Sequence, residues 1–211
     1  MNRRTALQQL AALAVLASPA ATVLAADSAG GASFRTLPTP VPTEVQGKVE
    51  VIEFFSYGCP HCHDFEPLLE RWVKALPADV NFVRVPITFN RPDWTAYAKL
   101  YVTLEALGEV NRQHAAVFAA LHEDRVPLHD EAVLLEWVAK RGIDKVKFNE
   151  AWKSFGVQSR LSRLAQIAAS YRVNGVPLMA VNGRYLASAS TAGGYDNLLK
   201  TVDQLIVRSR G

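Results

Sequence analysis

The sequence predicts an α/β fold in which an all-helical segment interrupts a sheet-forming chain. Residues 49–55 form a β-branched and aromatic run that suits an interior strand, and a helical stretch and a second strand at 80–85 follow it. This order of elements is typical of a βαβ unit. Residues 92–171 show helical periodicity with little strand signal, and two short strands and a helix close the chain. We therefore expect a sheet domain with a helical insertion.

The first 25 residues have the three parts of a secretory signal peptide. Arg3 and Arg4 form a charged start, residues 10–17 are a continuous apolar run, and residues 23–25 offer a cleavage site. The run is shorter than the roughly 20 residues that a membrane-spanning helix needs. An uncleaved membrane anchor and twin-arginine export stay open as alternatives. We expect the mature chain to be exported to a compartment where disulfides persist.

The composition excludes several classes of protein. With 49% hydrophobic and 20% charged residues, the 211-residue chain is neither wholly disordered nor collagen-like. The net charge is +3, but removal of Arg3 and Arg4 from the 23 Lys and Arg leaves 21 against 20 Asp and Glu. Because the chain shows no concentrated basic face, we do not expect it to bind nucleic acid.

The sheet domain is expected in two parts, residues 26–91 and 172–211, around an inserted helical domain at 92–171. A short edge strand near residues 34–37 opens the first part. In the second part an Asn-Gly pair at 182–183 is a strong hairpin signal. The helices are predicted near residues 60–76, 94–107, 113–122, 130–140, 146–155, 158–171 and 195–207.

The two cysteines of the chain, Cys59 and Cys62, lie at a predicted strand-to-helix junction. A disulfide that closes so short a loop barely restricts the unfolded chain, so a redox role is the better interpretation. Pro60 suits the first helical position, which places Cys59 against free N–H groups and the positive end of the helix dipole. Both favour the nucleophilic thiolate, and His61 adds a donor or a partial positive charge.

An acidic Cys59 beside a buried, less acidic Cys62 has a thermodynamic consequence. Anything that favours the Cys59 thiolate favours the reduced protein, so the disulfide becomes a good acceptor of electrons. We therefore predict that the Cys59–Cys62 disulfide is an oxidant and that the protein needs no other cofactor or metal.

Three other interpretations of these residues stay open. The run from Cys59 to His63 also matches the C-x-x-C-H signal for haem attachment, with Met179 or a distant histidine as second axial ligand. Cys59 and Cys62 could ligate zinc together with His61 or His63. The two thiols could also be purely structural.

The run EFFSYGCPHC at residues 53–62, the Gly-Val-Pro turn at 175–177 and the helical block between them resemble the DsbA family of periplasmic thiol:disulfide oxidoreductases. The resemblance implies a thioredoxin fold with an inserted all-helical domain, a periplasmic location and the donation of disulfides to newly exported proteins. The DsbA family is itself a known example of an acidic active-site cysteine and an oxidising disulfide, so agreement on that point is not independent.

The resemblance also implies roles for single residues. Cys59 is the family's attacking cysteine and Cys62 its resolving partner. Glu53 matches the family's buried acid, and burial should raise its pKa so that it can carry the proton of Cys62. The alternative is a Glu53 carboxylate paired with a base such as Lys48 or Arg91.

Pro177 matches the proline that is cis in thioredoxin-like folds. It would hold the Val176 backbone opposite Cys59, where a client strand could add through main-chain hydrogen bonds. An ordinary turn proline is the alternative for Pro177.

The resemblance implies exported proteins with reduced cysteines as substrates and a DsbB-like, quinone-linked inner-membrane oxidase that re-oxidises the protein. Since no separate dimerisation segment is visible, we expect a monomer and disfavour a dimeric isomerase or reductase. A peptide-binding chaperone whose thiols matter little is the competing class of function.

The remaining histidines and one aromatic set are given structural interpretations. His114, His122 and His129 have no metal-ligand spacing and are interpreted as surface residues. Three aromatic side chains at helical spacing are interpreted as helix core: Trp94, Tyr97 and Tyr101.

Overall fold

A mixed sheet lies at the centre of the computed structural model, which describes residues 33–210. The predicted signal peptide, residues 1–25, lies outside the described residues. Five strands of the described chain form the sheet: β1 (Arg35–Thr36), β2 (Val49–Phe55), β3 (Val80–Pro86), β4 (Leu178–Val181) and β5 (Tyr185–Ala187). Their order across the sheet is β1-β5-β4-β2-β3, and β2 pairs in parallel with β3 while the other pairs are antiparallel.

Helices connect and cover this sheet. Those of the described chain are α1 (Pro60–Lys74), α2 (Pro92–Ala106), α3 (Val110–His122), α4 (Glu131–Lys140), α5 (Lys145–Lys153), α6 (Phe155–Ser170), α7 (Ala189–Ala192) and α8 (Tyr195–Ser209). The helices α2 to α6 all lie between β3 and β4 in the chain, so the predicted α/β class with a helical insertion is confirmed. The exact domain limits at residues 92 and 171 stay predictions. The single turn α7 was not predicted.

The central strand β2 is buried along its whole length. Val49 and Val51 pack in a core cluster with residues of α1 and α8, whereas Ile52 and Phe54 belong to a second cluster shared with the inserted helices. Because β2 is buried on both faces, its sequence is a nearly continuous apolar run. The strand ends at Phe55 and leads into α1, so it fixes where that helix begins.

The Asn-Gly hairpin is confirmed, and it also holds the amino-terminal segment of the described chain. Asn182 and Gly183 both have positive φ angles, 49° and 65°, as a two-residue hairpin turn requires. The Gly183 carbonyl accepts a hydrogen bond from the backbone N–H of Val41 at 2.8 Å. The Leu37 N–H donates to the Arg184 carbonyl at 2.7 Å, which continues the edge formed by β1 and β5.

The structure corrects one interpretation and confirms another. His114 is 4% exposed and His122 is half-buried, so the interpretation of both as surface residues is wrong, whereas His129 is exposed as expected. The three aromatic side chains of α2 are buried, as predicted: Trp94, Tyr97 and Tyr101.

Within residues 33–210, no helix is both long enough and apolar enough to cross a membrane.

Substitution of Gly183 by alanine should destabilise the fold far more than the same change at Gly108. Both glycines have positive φ, at 65° and 71°, but a Cβ at Gly183 would lie 1.9 Å from the Val41 carbonyl oxygen, whereas Gly108 faces open space. We expect a loss of about 1 kcal/mol for Gly108→Ala and about 3 kcal/mol for Gly183→Ala, because overpacking adds to the backbone strain. Denaturant unfolding of both variants checks this, and equal losses would contradict it.

Candidate active site

The first turn of α1 presents the two cysteines. Cys59 is the N-cap, with an extended backbone (φ −97°, ψ 116°), and Pro60 occupies the first helical turn, as predicted. The Cys59 N–H donates to the Ser56 carbonyl at 3.0 Å, which closes the turn between β2 and the helix. No side chain caps the helix start, so its free N–H groups are available to the sulfur of Cys59.

The two sulfurs, both present as free thiols, have opposite environments. A hydrogen bond from the Cys62 thiol, the backbone N–H groups of Cys62 and His61 and the electrostatic effect of His61 together lower the pKa of Cys59 to about 6, against the opposing effect of burial. Cys62 is fully buried, and desolvation followed by the hydrogen bond to Cys59 raises its pKa far above the usual value. Charge on this pair therefore resides on Cys59.

The loop that leads into β4, the strand next to β2, faces Cys59. The Cys59 thiol donates to the Val176 carbonyl at 3.6 Å, and the Val176–Pro177 peptide bond is cis, as the resemblance implies. Beside the loop is a cavity of about 320 Å³ lined by residues that include His61, Val176, Pro177 and Tyr195. The Tyr195 hydroxyl donates to the His61 carbonyl at 3.0 Å, so α8 is tied to the first turn of α1.

Glu53 is 1% exposed and lies on β2, the strand that leads to the cysteines. Arg84, its register partner on β3, donates from Nε to Glu53 Oε2 at 3.0 Å. A second Arg84 nitrogen donates to Glu66 Oε1 on α1 at 2.9 Å. Burial raises the pKa of both carboxyl groups, although the Arg84 guanidinium opposes the shift. The expected raised pKa is present, and Glu53 is also paired with a base, as in the alternative interpretation, but that base is Arg84 and not Lys48 or Arg91.

Sequence reasoning missed three polar residues of this region: Glu66 and His114, which are buried, and Arg84, whose side chain is 13% exposed. Each left a signal. Arg84 interrupts a β-branched strand that was predicted to neighbour the strand of Glu53, and Glu66 follows Cys62 by four residues, which places both on one face of α1. His114 precedes Val117 and Phe118 by three and four residues, and all three side chains are buried.

The structure also bears on the alternative interpretations of the cysteines. Within residues 33–210, no group of three or more His, Cys, Asp or Glu side chains is placed to hold a metal ion. The His63 ring stacks on the His122 ring, with centroids 4.9 Å apart.

The thiolate of Cys59 should form with a midpoint near pH 6 in the reduced protein, because the Cys62 thiol and the helix start stabilise it. Thiolate absorbance or the rate of alkylation, followed against pH, measures this midpoint. Cys62→Ala removes the largest stabilising contact and should move the midpoint upward, whereas Cys62→Ser keeps a donor and should move it less. A wild-type midpoint at the value of free cysteine, about 8.5, would contradict the assignment.

Comparison with known proteins places this geometry in a family. The family model described as DSBA-like thioredoxin domain matches residues 50–203. The thiol:disulfide interchange protein DsbA of Pseudomonas syringae pv. tomato is 42% identical over 180 residues, covering 85% of this chain and 84% of the relative. The protein of the same name from Azotobacter vinelandii is 41% identical over 198 residues, covering 94% and 92%.

Solved structures agree with the sequence relatives. The crystal structure of Pseudomonas aeruginosa DsbA superposes with a TM-score of 0.82 at 39% identity, covering 88% of this chain and 96% of that one. The oxidoreductase DsbA from Xylella fastidiosa has a TM-score of 0.79 at 30% identity, covering 87% and 98%. The fold is therefore a thioredoxin fold with a helical insertion, and the chain belongs to the DsbA-like thioredoxin family of thiol:disulfide oxidoreductases.

Proposed function

We propose that the protein is a periplasmic thiol:disulfide oxidase that donates its Cys59–Cys62 disulfide to newly exported proteins. The observation that carries this proposal is the asymmetry of the two thiols. Cys59 lies at the free start of α1 with a lowered pKa, and Cys62 lies in the core with a raised one. Stabilisation of one thiolate favours the reduced form, so the disulfide is driven to accept electrons from a client.

In the proposed reaction, a client thiolate attacks the Cys59 sulfur and breaks the bond to Cys62. The product is a mixed disulfide between the client and Cys59, and the departing Cys62 sulfur takes a proton from Glu53. A second client thiolate then attacks the client sulfur of the mixed disulfide. Cys59 leaves as the stabilised thiolate, and the client, which has lost two electrons, holds the new disulfide.

Supporting roles follow from the contacts around Cys59. Pro60 starts the helix, and the His61 N–H group stabilises the Cys59 thiolate. Val176 and Pro177 line the cavity next to His61, where an extended client segment can lie along the loop. Hydrogen bonds to the main chain of a client do not depend on the side chains that the client carries. We therefore propose a broad client range.

The remaining parts of the proposal concern partners and location. Relatives that are named thiol:disulfide interchange proteins match more than four-fifths of this chain. We infer that a quinone-linked, DsbB-like oxidase of the inner membrane returns the dithiol to the disulfide, that no added cofactor takes part, and that the protein acts as a monomer.

Cys62→Ser should accumulate mixed disulfides with clients, because the resolving thiol is lost while Cys59 still reacts. The variant is first converted to a mixed disulfide with a small aromatic thiol and then mixed with a reduced peptide that carries a single cysteine and so cannot resolve the adduct itself, and the products are separated without reductant. We expect the client disulfide at Cys59 to be identified by mass spectrometry. Cys59→Ser is the matched control and should form no such adduct.

A different pattern of adducts would contradict the oxidase proposal. Equal trapping by both variants would mean that the cysteines are interchangeable. A protein that assists refolding equally well with both cysteines replaced would instead support a peptide-binding chaperone.

A further inference from the structure

The buried charges beneath the active site continue beyond Glu66 to a histidine of the inserted domain. Glu66 Oε2 and His114 Nε2 lie 3.3 Å apart, and neither atom has a hydrogen-bond partner within residues 33–210. On the other side of the ring, His114 Nδ1 is hydrogen bonded to the Tyr57 hydroxyl at 2.7 Å. The facing pair has room for one shared proton, which either group can hold.

The charges of Glu53, Glu66 and Arg84, which form one buried cluster, favour the binding of one proton by its two carboxyl groups. Glu53 and Glu66 both contact the single guanidinium of Arg84, at 3.0 and 2.9 Å. With both carboxyl groups ionised the buried cluster carries one negative charge, and with one proton it is neutral. Since an uncompensated buried charge is costly, a proton lost at Glu53 favours the uptake of a proton at Glu66.

The Glu66–His114 end of the cluster is the end nearer to solvent. A cavity of about 330 Å³ lies against both side chains, and its other walls include Glu70, Lys74 and Asn111. The side chains of Glu70 and Lys74 are 45% and 72% exposed. By contrast Glu53 lies between the sheet and α1 and is 1% exposed.

We propose that Glu66 and His114 form the route by which the buried cluster exchanges with solvent the proton that offsets the change in charge at Glu53, so that His114 acts on the reaction through Glu66. The inference rests on the proposed role of Glu53 in protonating Cys62. It adds a residue of the inserted domain to the chemistry and assigns a use to the cavity beside α1.

Each step of this exchange balances in protons. When the protein is oxidised, Cys62 gives its proton to ionised Glu53 as its sulfur attacks Cys59. Glu66 then gives up the proton that it shares with His114 Nε2, and this proton passes to water in the cavity that both side chains line. Arg84 keeps its charge throughout and pairs with whichever carboxyl group is ionised. Reduction of the disulfide runs the same steps backwards and takes up one proton.

The surroundings of His114 fit a group that relays a proton without keeping it. Burial, followed by the charge of Arg84, lowers the pKa of His114, so the ring is neutral at rest. A neutral imidazole has one donor and one acceptor nitrogen, so Nε2 can accept the shared proton while Nδ1 donates to the Tyr57 hydroxyl. The titratable and charged groups that face the ring from the packed elements are Tyr57, Glu66, Glu70, Arg84 and Tyr101.

Oxidation of the reduced protein by glutathione disulfide tests the proposal without any client. The closing step, in which Cys62 displaces glutathione from Cys59, is followed by rapid acid quench between pH 5.5 and 8. We expect His114→Ala to slow this step on the order of 10-fold or more, most strongly at low pH. Imidazole, which can occupy the vacated space, should restore the rate, whereas non-basic pyrrole should not.

Matched variants separate a proton route from a packing defect. His129→Ala alters an exposed histidine that contacts Tyr97, and it should leave the closing rate and its pH profile unchanged. His114→Gln fills the space and should also be slow, but without rescue by imidazole, so it replaces the alanine variant if that one fails to fold. The closing step of Glu66→Gln should be as slow as that of His114→Ala, and pyrrole should not raise the closing rate of either variant.

The outcomes distinguish this inference from the proposed function. Wild-type closing rates in folded His114→Ala and His114→Gln would overturn the proton route, and so would a slow rate that imidazole does not raise in His114→Ala. Neither result would affect the trapping of clients at Cys59. If the wild-type protein exchanged readily with glutathione disulfide but Cys62→Ser trapped no client at Cys59, the proton route would stand and the oxidase proposal would fail.

Discussion

The stabilisation of negative charge on the Cys59 sulfur is the interaction on which the rest of the active site depends. It needs the sulfur at the free start of α1, and the buried strand β2 sets that position because it ends four residues earlier, at Phe55. The turn is held by the hydrogen bond from Cys59 N–H to Ser56. Because the anion is stabilised by donors already in place, it forms without rearrangement of the backbone.

One helical turn separates two very different sulfur environments. Cys62 has no exposed surface and shares the buried face of α1 with Phe65 and Glu66. Below it, the ion cluster of Glu53, Arg84 and Glu66 carries a desolvation cost that an apolar core would avoid. Such a cluster is poor evidence for stability, but in the reaction that we propose it holds a proton for the Cys62 sulfur. The fold thus places charge at the surface end of the pair and protons at the buried end.

Sequence reasoning succeeded where the signal was local. The strand β2, the helix start at Pro60, the Asn-Gly hairpin and the cysteine pair each depend on neighbours within a few positions. The partners of Glu53 and Glu66 were missed because they depend on strand register and on the docking of the insertion: Arg84 comes from β3, and His114 comes from α3. His114 was assigned to the surface because it was judged by its lack of ligand spacing. Its spacing from Val117 and Phe118 would have placed it on the buried face of α3.

The equilibrium of the Cys59–Cys62 disulfide with a glutathione redox buffer measures how strongly the Cys59 thiolate favours the reduced protein. The reduced fraction is measured by alkylation across a series of ratios of reduced to oxidised glutathione at pH 7. A stabilised Cys59 thiolate predicts a reduction potential more oxidising than about −200 mV. A potential of about −220 mV or lower, in the range of the cytosolic glutathione pool, would contradict the account.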